Sequence, residues 1–109
     1  MSGKASQRKG AAGEKELRDY LQEHGYSGVQ RGGSMTFGTI ADLYGLPGIH
    51  LEVKRVEALN LEKAMNQSIE DSKRMKDGKP TVVHRKNRRP WMVTMLLDDW
   101  LELYGKAGI

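Results

Sequence analysis

Asp42 and the run Glu52-Val53-Lys54 contain the residue types of a metal-activated phosphodiesterase site. Two carboxylates supply the hard oxygen ligands that a divalent cation prefers, and a lysine two residues along the strand can stabilise charge or orient the attacking water. Between the two acids, Gly45-Leu46-Pro47-Gly48 separates two apolar-rich runs. This pattern predicts a β-hairpin that brings the acids towards each other.

The register of this hairpin decides whether the acids share a face. Apolar and polar residues alternate from 49 to 54 within the strand predicted over 49–56, so Glu52 and Lys54 should point from the same side of the strand. Asp42 joins them if it lies opposite a residue such as Glu52, whereas a slip of one position turns it to the other face. A Glu-x-Lys pattern alone is weak evidence, because any half-exposed strand alternates charges in this way.

A third acid, Glu14, lies in a helical pattern that runs from about Lys9 to His24 and ends at Gly25. On a helical wheel, Glu14 falls within about 60° of Leu17 and Leu21. A carboxylate on this apolar side is costly unless a cation meets it. Alternatively, Glu14 occupies the first turn and merely favours the helix dipole. The sequence leaves both interpretations open.

Length and composition restrict the class of protein. The 109 residues, 38% of them hydrophobic, predict one folded domain. The absence of cysteine excludes disulfides and thiolate metal sites, and the scattered His24, His50 and His84 argue against zinc. No apolar run of about 18 residues and no signal sequence are present, so we expect a soluble, intracellular protein with no membrane partner.

Positive charge is concentrated in one segment of the chain. The net charge is +4, but residues 73–89 contain eight lysines and arginines and only one acid, Asp77. Clustered cations on an otherwise balanced chain are typical of binding to a polyanion, most often nucleic acid. The alternative is a solvated basic loop.

Periodicity and turn residues predict a mixed five-stranded sheet flanked by helices, in the order α-β-β-β-α-β-β-α. Residues 1–7 are predicted to form a flexible basic arm. Asn60 is the predicted N-cap of the second helix, and Asp98 or Asp99 that of the third. The five predicted strands cover residues 26–31, 39–44, 49–56, 81–85 and 91–97, and the second helix runs to about Asp77.

The chain resembles the PD-(D/E)XK nuclease superfamily and, within it, the archaeal-type Holliday junction resolvases and their phage-encoded relatives. The resemblance covers the first half well and the second half mainly in element order, and it implies a restriction-endonuclease-like domain over residues 8–109. It also implies a location in the cytoplasm of a bacterium, an archaeon or a phage-infected cell. Ala41 replaces the proline of the superfamily's name, and Lys15 stands where relatives often have arginine. The matching segments are Arg8-Lys9-Gly10, Glu14-Lys15-Glu16-Leu17, Arg31-Gly32-Gly33-Ser34, Ala41-Asp42 and Glu52-Val53-Lys54.

The resemblance implies a role for each matching residue. Asp42 and Glu52, with the carbonyl of Val53, resemble the ligands of Mg²⁺, for which Mn²⁺ should substitute. Glu14 resembles the helical carboxylate that completes this site, and Lys54 the catalytic lysine. The segment that meets the DNA backbone would contain Ser34 and either Gln30 or Arg31. Gln67 on the second helix is a possible partner of Lys54 or of a water.

The implied substrate is a four-way DNA junction, which needs two symmetric cuts and hence a twofold homodimer. A nuclease acting on flaps, ends or duplex and a DNA-binding protein without catalysis are the alternatives. Apolar residues near the C-terminus could form the dimer contact, although core packing is expected for each individually: Trp91, Met92, Met95, Leu96, Trp100, Leu103 and Tyr104. The predicted DNA contacts are Arg8, Lys9, Lys15, Arg31, Ser34, Arg55, Lys73, Arg74, Arg85, Lys86, Arg88 and Arg89.

Overall fold

A computed structural model describes residues 3–32 and 41–109, with the side chains of residues 10–32 and 41–109. The predicted order of elements is confirmed. The helices are α1 (Gly3–Glu23), α2 (Leu61–Met75) and α3 (Leu97–Lys106); the strands are β1 (Gln30–Arg31), β2 (Leu43–Tyr44), β3 (Ile49–Arg55), β4 (Lys79–Arg85) and β5 (Met92–Met95).

The five strands form one mixed sheet in the order β1-β2-β3-β4-β5. All neighbours are antiparallel except β3 and β4, which run parallel because α2 carries the chain back between them. Leu43 pairs with Leu51, so continuing the register by one position places Asp42 opposite Glu52, as predicted. Asp42 itself precedes β2, which is shorter than the predicted strand; residues 39 and 40 of that strand lie outside the described residues.

Helices cover the two faces of the sheet. Leu17 of α1 packs in a buried cluster with Leu51 and Val53 of β3. On the other face, Met65 of α2 packs with Val82 of β4. Because side chains alternate along a strand, the residues of β3 next to Leu51 and Val53 point towards the α2 side. Glu52 therefore faces α2, whereas Glu14 belongs to the helix on the opposite face.

Gly13 allows α1 to approach β3 closely. A Cβ atom at this position would lie 2.5 Å from the Cβ of Arg55, which is too close for any L side chain. The helix also begins earlier than predicted, at Gly3, so residues 3–7 are its first turns rather than a separate arm. Alanine, lysine, glutamine and arginine predominate from 4 to 12, and these residues favour continuation of a helix.

The predicted cap of α2 is confirmed, and that of α3 is wrong. Asn60 Oδ1 accepts a hydrogen bond of 3.0 Å from Lys63 N at the start of α2. In α3, Leu96 is the N-cap without a side-chain hydrogen bond, and Asp98 and Asp99 lie in the first helical turn. The acids still suit this position because they complement the positive end of the helix dipole.

The apolar residues of the C-terminal region are more exposed than predicted. Core packing was expected of each, but Trp100, Leu103, Tyr104, Met92 and Leu96 are all exposed. Trp91 does pack against the core cluster. Within the described part of the chain, no helix is long and apolar enough to cross a membrane.

Candidate functional site

Asp42 lies where β2 separates from β3. Its Oδ2 accepts a hydrogen bond of 2.9 Å from the backbone N–H of Val53, and its own carbonyl accepts one of 3.0 Å from Gly32 N. The Asp42 side chain thus accepts the backbone N–H of Val53, which lies beyond Leu51, the residue of β3 that pairs with β2. This contact fixes the Asp42 carboxylate beside the peptide that links Glu52 to Val53.

Glu52 is a buried carboxylate held by a buried histidine. Its side chain is 8% exposed, and its Oε1 lies 3.1 Å from Nε2 of His50, which is fully buried. The other ring nitrogen of His50, Nδ1, lies 2.8 and 2.9 Å from the two carboxylate oxygens of Asp77. A chain of hydrogen bonds therefore runs from the end of α2 through His50 to Glu52.

Glu14 already has a cationic partner. Nε and Nη2 of Arg31 donate hydrogen bonds of 3.2 and 3.1 Å to Glu14 Oε1. Both side chains are partly buried. Of the two interpretations of Glu14, the structure supports a half-buried acid met by a cation. Arg31, predicted to contact the DNA backbone, makes this ion pair, whereas Gln30 is exposed.

The three predicted acids interact electrostatically through Asp42. Burial raises the pKa of Glu14, the Asp42 charge raises it further, and Arg31 only partly opposes the shift. Burial also raises the pKa of Glu52, to about 7; His50 opposes this shift, while Asp42 and Asp71 add to it. Asp42 is therefore close enough to both glutamates to disfavour their charged forms.

The ligand atoms that lie closest together are a different set from the predicted one. Within the described residues, one group of three side chains has all its possible ligand atoms within 4.8 Å of one another: His50, Glu52 and Asp71. Glu14 and Asp42 are not in this group. The separation follows from the fold, because Glu14 comes from the helix on the opposite face of the sheet.

Lys54 lies two residues beyond Glu52, on the same face of β3. It is half-buried and makes no ion pair with any residue that the structure describes. Its neighbour across the parallel pair is His84 of β4. Gln67, predicted as a possible partner of Lys54, has an exposed side chain on α2, and no contact between the two is present in the described part.

Two predicted DNA contacts, Arg55 and Arg85, make ion pairs within the fold. Arg55 Nε donates to Glu16 Oε2 at 2.9 Å, and Arg85 Nη1 donates to Glu16 Oε1 at 3.1 Å. Glu16 therefore joins α1 to β3 and β4. Arg55 also donates a hydrogen bond of 3.0 Å to Asn87 in the turn after β4.

The other predicted DNA contacts lie mainly on the surface. Arg74 is exposed and pairs with Asp71 at 3.1 Å. Arg88 is also exposed and adopts a positive φ of 62° in the β4–β5 turn. Ser34 lies outside the described residues, and so do the side chains of Arg8 and Lys9. The remaining predicted cations are exposed: Lys15, Lys73, Lys86 and Arg89.

Three residues around His50 and Glu52 were not predicted as site residues from the sequence: His50 itself, Asp71, which lies beside Glu52, and Asp77, which contacts His50. Alternation along β3 places His50 on the face of Glu52, and this was the one available signal. In the sequence, Asp77 stands out only as the single acid of the basic segment 73–89. Its contact with His50 spans 27 residues and depends on how α2 packs on the sheet.

No protein-family model matches the chain, and no curated protein matches it.

Proposed function

We propose that this protein is a metal-dependent endonuclease that hydrolyses phosphodiester bonds of branched DNA, four-way junctions above all. The observation that carries the proposal is the position of Asp42, whose carboxylate lies beside the Glu52–Val53 peptide through the 2.9 Å hydrogen bond from Val53 N. Burial raises the pKa of both Glu14 and Glu52, and the Asp42 charge adds to that rise. Mutually repelling carboxylates are relieved by a cation among them.

The donor set suits Mg²⁺, with Mn²⁺ as a substitute, because it offers carboxylate and carbonyl oxygens. Asp42, Glu52 and the carbonyl of Val53 would hold the cation, with Glu14 completing the site directly or through water. When bound, the cation polarises a phosphate oxygen and lowers the pKa of a bound water. Lys54, on the face of Glu52, would orient that water or offset the charge that develops on the phosphate.

Phosphate contacts would come from exposed cations at the end of α2 and in the β4–β5 turn. Lys73 and Arg74 end α2, and Lys86, Arg88 and Arg89 form the β4–β5 turn. Flexible cations of this kind bind the DNA backbone without reading bases. Arg31, Arg55 and Arg85 would contribute to the potential of this surface while remaining paired with Glu14 and Glu16.

The test is cleavage of a panel of four-way junctions, flaps and linear duplexes with Mg²⁺, with Mn²⁺ or with chelator. We expect cutting of the junction that requires the cation and disappears in Asp42→Asn and Glu52→Gln. Glu23→Gln, an exposed acid at the end of α1, is the matched control and should cut normally. Equal cutting of linear duplex would overturn the junction preference and favour a nuclease of flaps, ends or duplex.

A second candidate is a DNA-binding protein without catalysis. It is favoured by the partners that the acids already have, Arg31 for Glu14 and His50 for Glu52. This candidate predicts that wild-type protein binds DNA but cuts none of the panel with either cation. It further predicts that Asp42→Asn and Glu52→Gln bind DNA as the wild type does.

Paired cuts across a junction require two active sites, so we propose a twofold homodimer. The surface that suits a second copy combines the edge strand β5 with α3, since the segment from Trp91 to Leu97 contains no charge that would deter pairing. Leu97 and Trp100, at 67% and 49% exposure, lie at its centre. Sedimentation should show a dimer that Leu97→Gln with Trp100→Gln dissociates, whereas Leu61→Gln on α2 should not.

A further inference from the structure

The buried His50 and its partly exposed partner Asp77 have no part in the proposed nuclease site. We infer that His50, held by Asp77, is a positioning residue that fixes the Glu52 carboxylate for the cation. This inference rests on the proposed function for its catalytic meaning. Its immediate consequence, an effect on cation affinity, is measurable without DNA.

Both nitrogens of the His50 ring are engaged, which locks its orientation. Asp77 holds Nδ1 through both carboxylate oxygens, at 2.8 and 2.9 Å, and Nε2 meets Glu52 Oε1 at 3.1 Å. The ring is fully buried, so no water competes for these contacts. Rotation of the imidazole would break hydrogen bonds at both ends, and Glu52 Oε1 is therefore held in place.

Asp77 is delivered by the end of α2. Lys76 closes the helix in the left-handed conformation, with φ of 53°, and its N–H donates to Ser72 O. The turn brings the next residue, Asp77, back onto β3. The position of α2 on the sheet is thus transmitted through Asp77 and His50 to the carboxylate of Glu52.

Shape alone does not explain this arrangement. His50, Glu52 and Asp77 are all ionisable, and removing ionisable groups from water costs desolvation free energy. Apolar side chains of similar volume would fill the same space without that cost. Outer hydrogen-bond partners that orient a metal-binding side chain commonly change cation affinity by about 10–100-fold. The hydrogen-bonded series Asp77–His50–Glu52 is an arrangement of this kind, with His50 as the partner that orients Glu52.

Asp71 and the ring nitrogen of His50 make one competing arrangement possible. Their ligand atoms and those of Glu52 lie within 4.8 Å of one another. In that arrangement His50 would bind the cation itself instead of orienting Glu52. The two arrangements differ in whether a nitrogen contacts the cation, and pulsed electron paramagnetic resonance of bound Mn²⁺ detects such a contact.

The experiment measures Mn²⁺ affinity for wild type, His50→Leu, His50→Gln and Asp77→Asn, together with the unfolding midpoint of each. His84→Leu is the matched control, because His84 is also a sheet histidine and bonds only Thr94 Oγ1 at 2.9 Å among the described residues. We expect at least a tenfold loss of affinity in His50→Leu and partial rescue in His50→Gln, whose amide can still donate to Glu52. The control should stay within twofold of wild type.

The other possible outcomes of this experiment distinguish failure of the positioning role of His50 from failure of the proposed nuclease activity. Unchanged affinity in His50→Leu, absence of Mn²⁺ binding by wild type, or a histidine nitrogen signal that this substitution abolishes would each overturn the positioning role. Absence of Mn²⁺ binding by the wild type would overturn the proposed cation site as well, whereas the other two outcomes leave cleavage by the wild type untouched. Conversely, a tenfold loss of Mn²⁺ affinity in a protein that never cuts DNA would overturn the nuclease and leave the positioning role standing. If His50→Leu does not fold, His50→Gln and Asp77→Asn decide.

Discussion

The carboxylate of Asp42 accepts the backbone N–H of Val53 at 2.9 Å, eleven residues along the chain. This hydrogen bond places an acid that precedes β2 directly beside Glu52 on β3. It replaces the backbone pairing that ends where the two strands diverge. Through this position Asp42 influences the ionisation of Glu14 on one side and Glu52 on the other.

The substitution Asp42→Asn should lower the pKa of both Glu14 and Glu52, because it removes the charge that raises them and keeps an oxygen for the Val53 N–H. Carboxyl ¹³C chemical shifts followed against pH measure both values in one titration. Asp98→Asn is the control and should move neither. Unchanged pKa values in Asp42→Asn would show that Asp42 does not link the two glutamates.

Stability without metal should fall as pH rises through neutrality. The pKa of Glu52 is about 7 in the fold against an ordinary 4.5, so the folded protein binds more protons than the unfolded chain between these values. The free energy of unfolding therefore falls from about pH 5 to pH 8, by up to roughly 3 kcal/mol.

The ionisation of His50 also lowers the free energy of unfolding as pH rises. Burial lowers its pKa, but hydrogen bonds to Glu52 and Asp77 outweigh burial and raise it. The stability contributed by its proton is present below the ordinary value of 6.5 and lost as pH rises through the folded value. Urea denaturation at several pH values in chelator gives the slope, and Glu52→Gln should flatten it. An equally steep slope in that variant would refute the assignment to Glu52.

Gly13→Ala should destabilise the protein by about 1–3 kcal/mol, because the new methyl group would collide with the Cβ of Arg55 and push α1 away from β3. Gly10→Ala is the matched control. Nothing lies within 4 Å of a Cβ at Gly10, so alanine there should stabilise the helix by about 0.5–1 kcal/mol. Chemical denaturation compares the two, and equal effects would mean that the close approach has no energetic consequence.

Glu16→Gln should reduce stability by about 1 kcal/mol, since it weakens the ion pairs with Arg55 and Arg85 that join α1 to the sheet. DNA binding should not weaken, because the substitution leaves both arginines in place and removes a negative charge. Fluorescence anisotropy with labelled DNA measures this at fixed salt. Weaker DNA binding by Glu16→Gln would show that Arg55 and Arg85 contact phosphates only when Glu16 holds them in place.

Removal of the exposed cations Lys86 and Arg88 should weaken DNA binding without changing stability, the reverse of the effects expected for Glu16→Gln. Each substitution to alanine should leave stability unchanged and lower the slope of log affinity against log salt by about one. Lys106→Ala is the control, because that lysine lies on α3 beside Glu102. An unaltered slope in both variants would place the DNA on another surface.

The sequence by itself determined the elements and their alternation. Period-two and period-three-to-four patterns, Asn60 at a helix start and the Gly-Leu-Pro-Gly turn are local signals, and they were sufficient for the element order. The sequence left the register of the hairpin open, and the pairing of Leu43 with Leu51 in the structure sets Asp42 opposite Glu52. The start of α1 and the cap of α3 were wrong, because several neighbouring residues can satisfy the end of a helix equally well.

Only the tertiary structure decided which charges meet. Glu14 finds Arg31 across 17 residues, His50 finds Asp77 across 27, and Arg85 finds Glu16 across 69. These contacts depend on which face of the sheet each helix covers and on how closely it approaches, and no local pattern encodes either quantity. For the same reason the arrangement of the three predicted acids came only from packing, which brings Asp42 close enough to Glu14 of α1 and to Glu52 of β3 to add to the burial that raises the pKa of both.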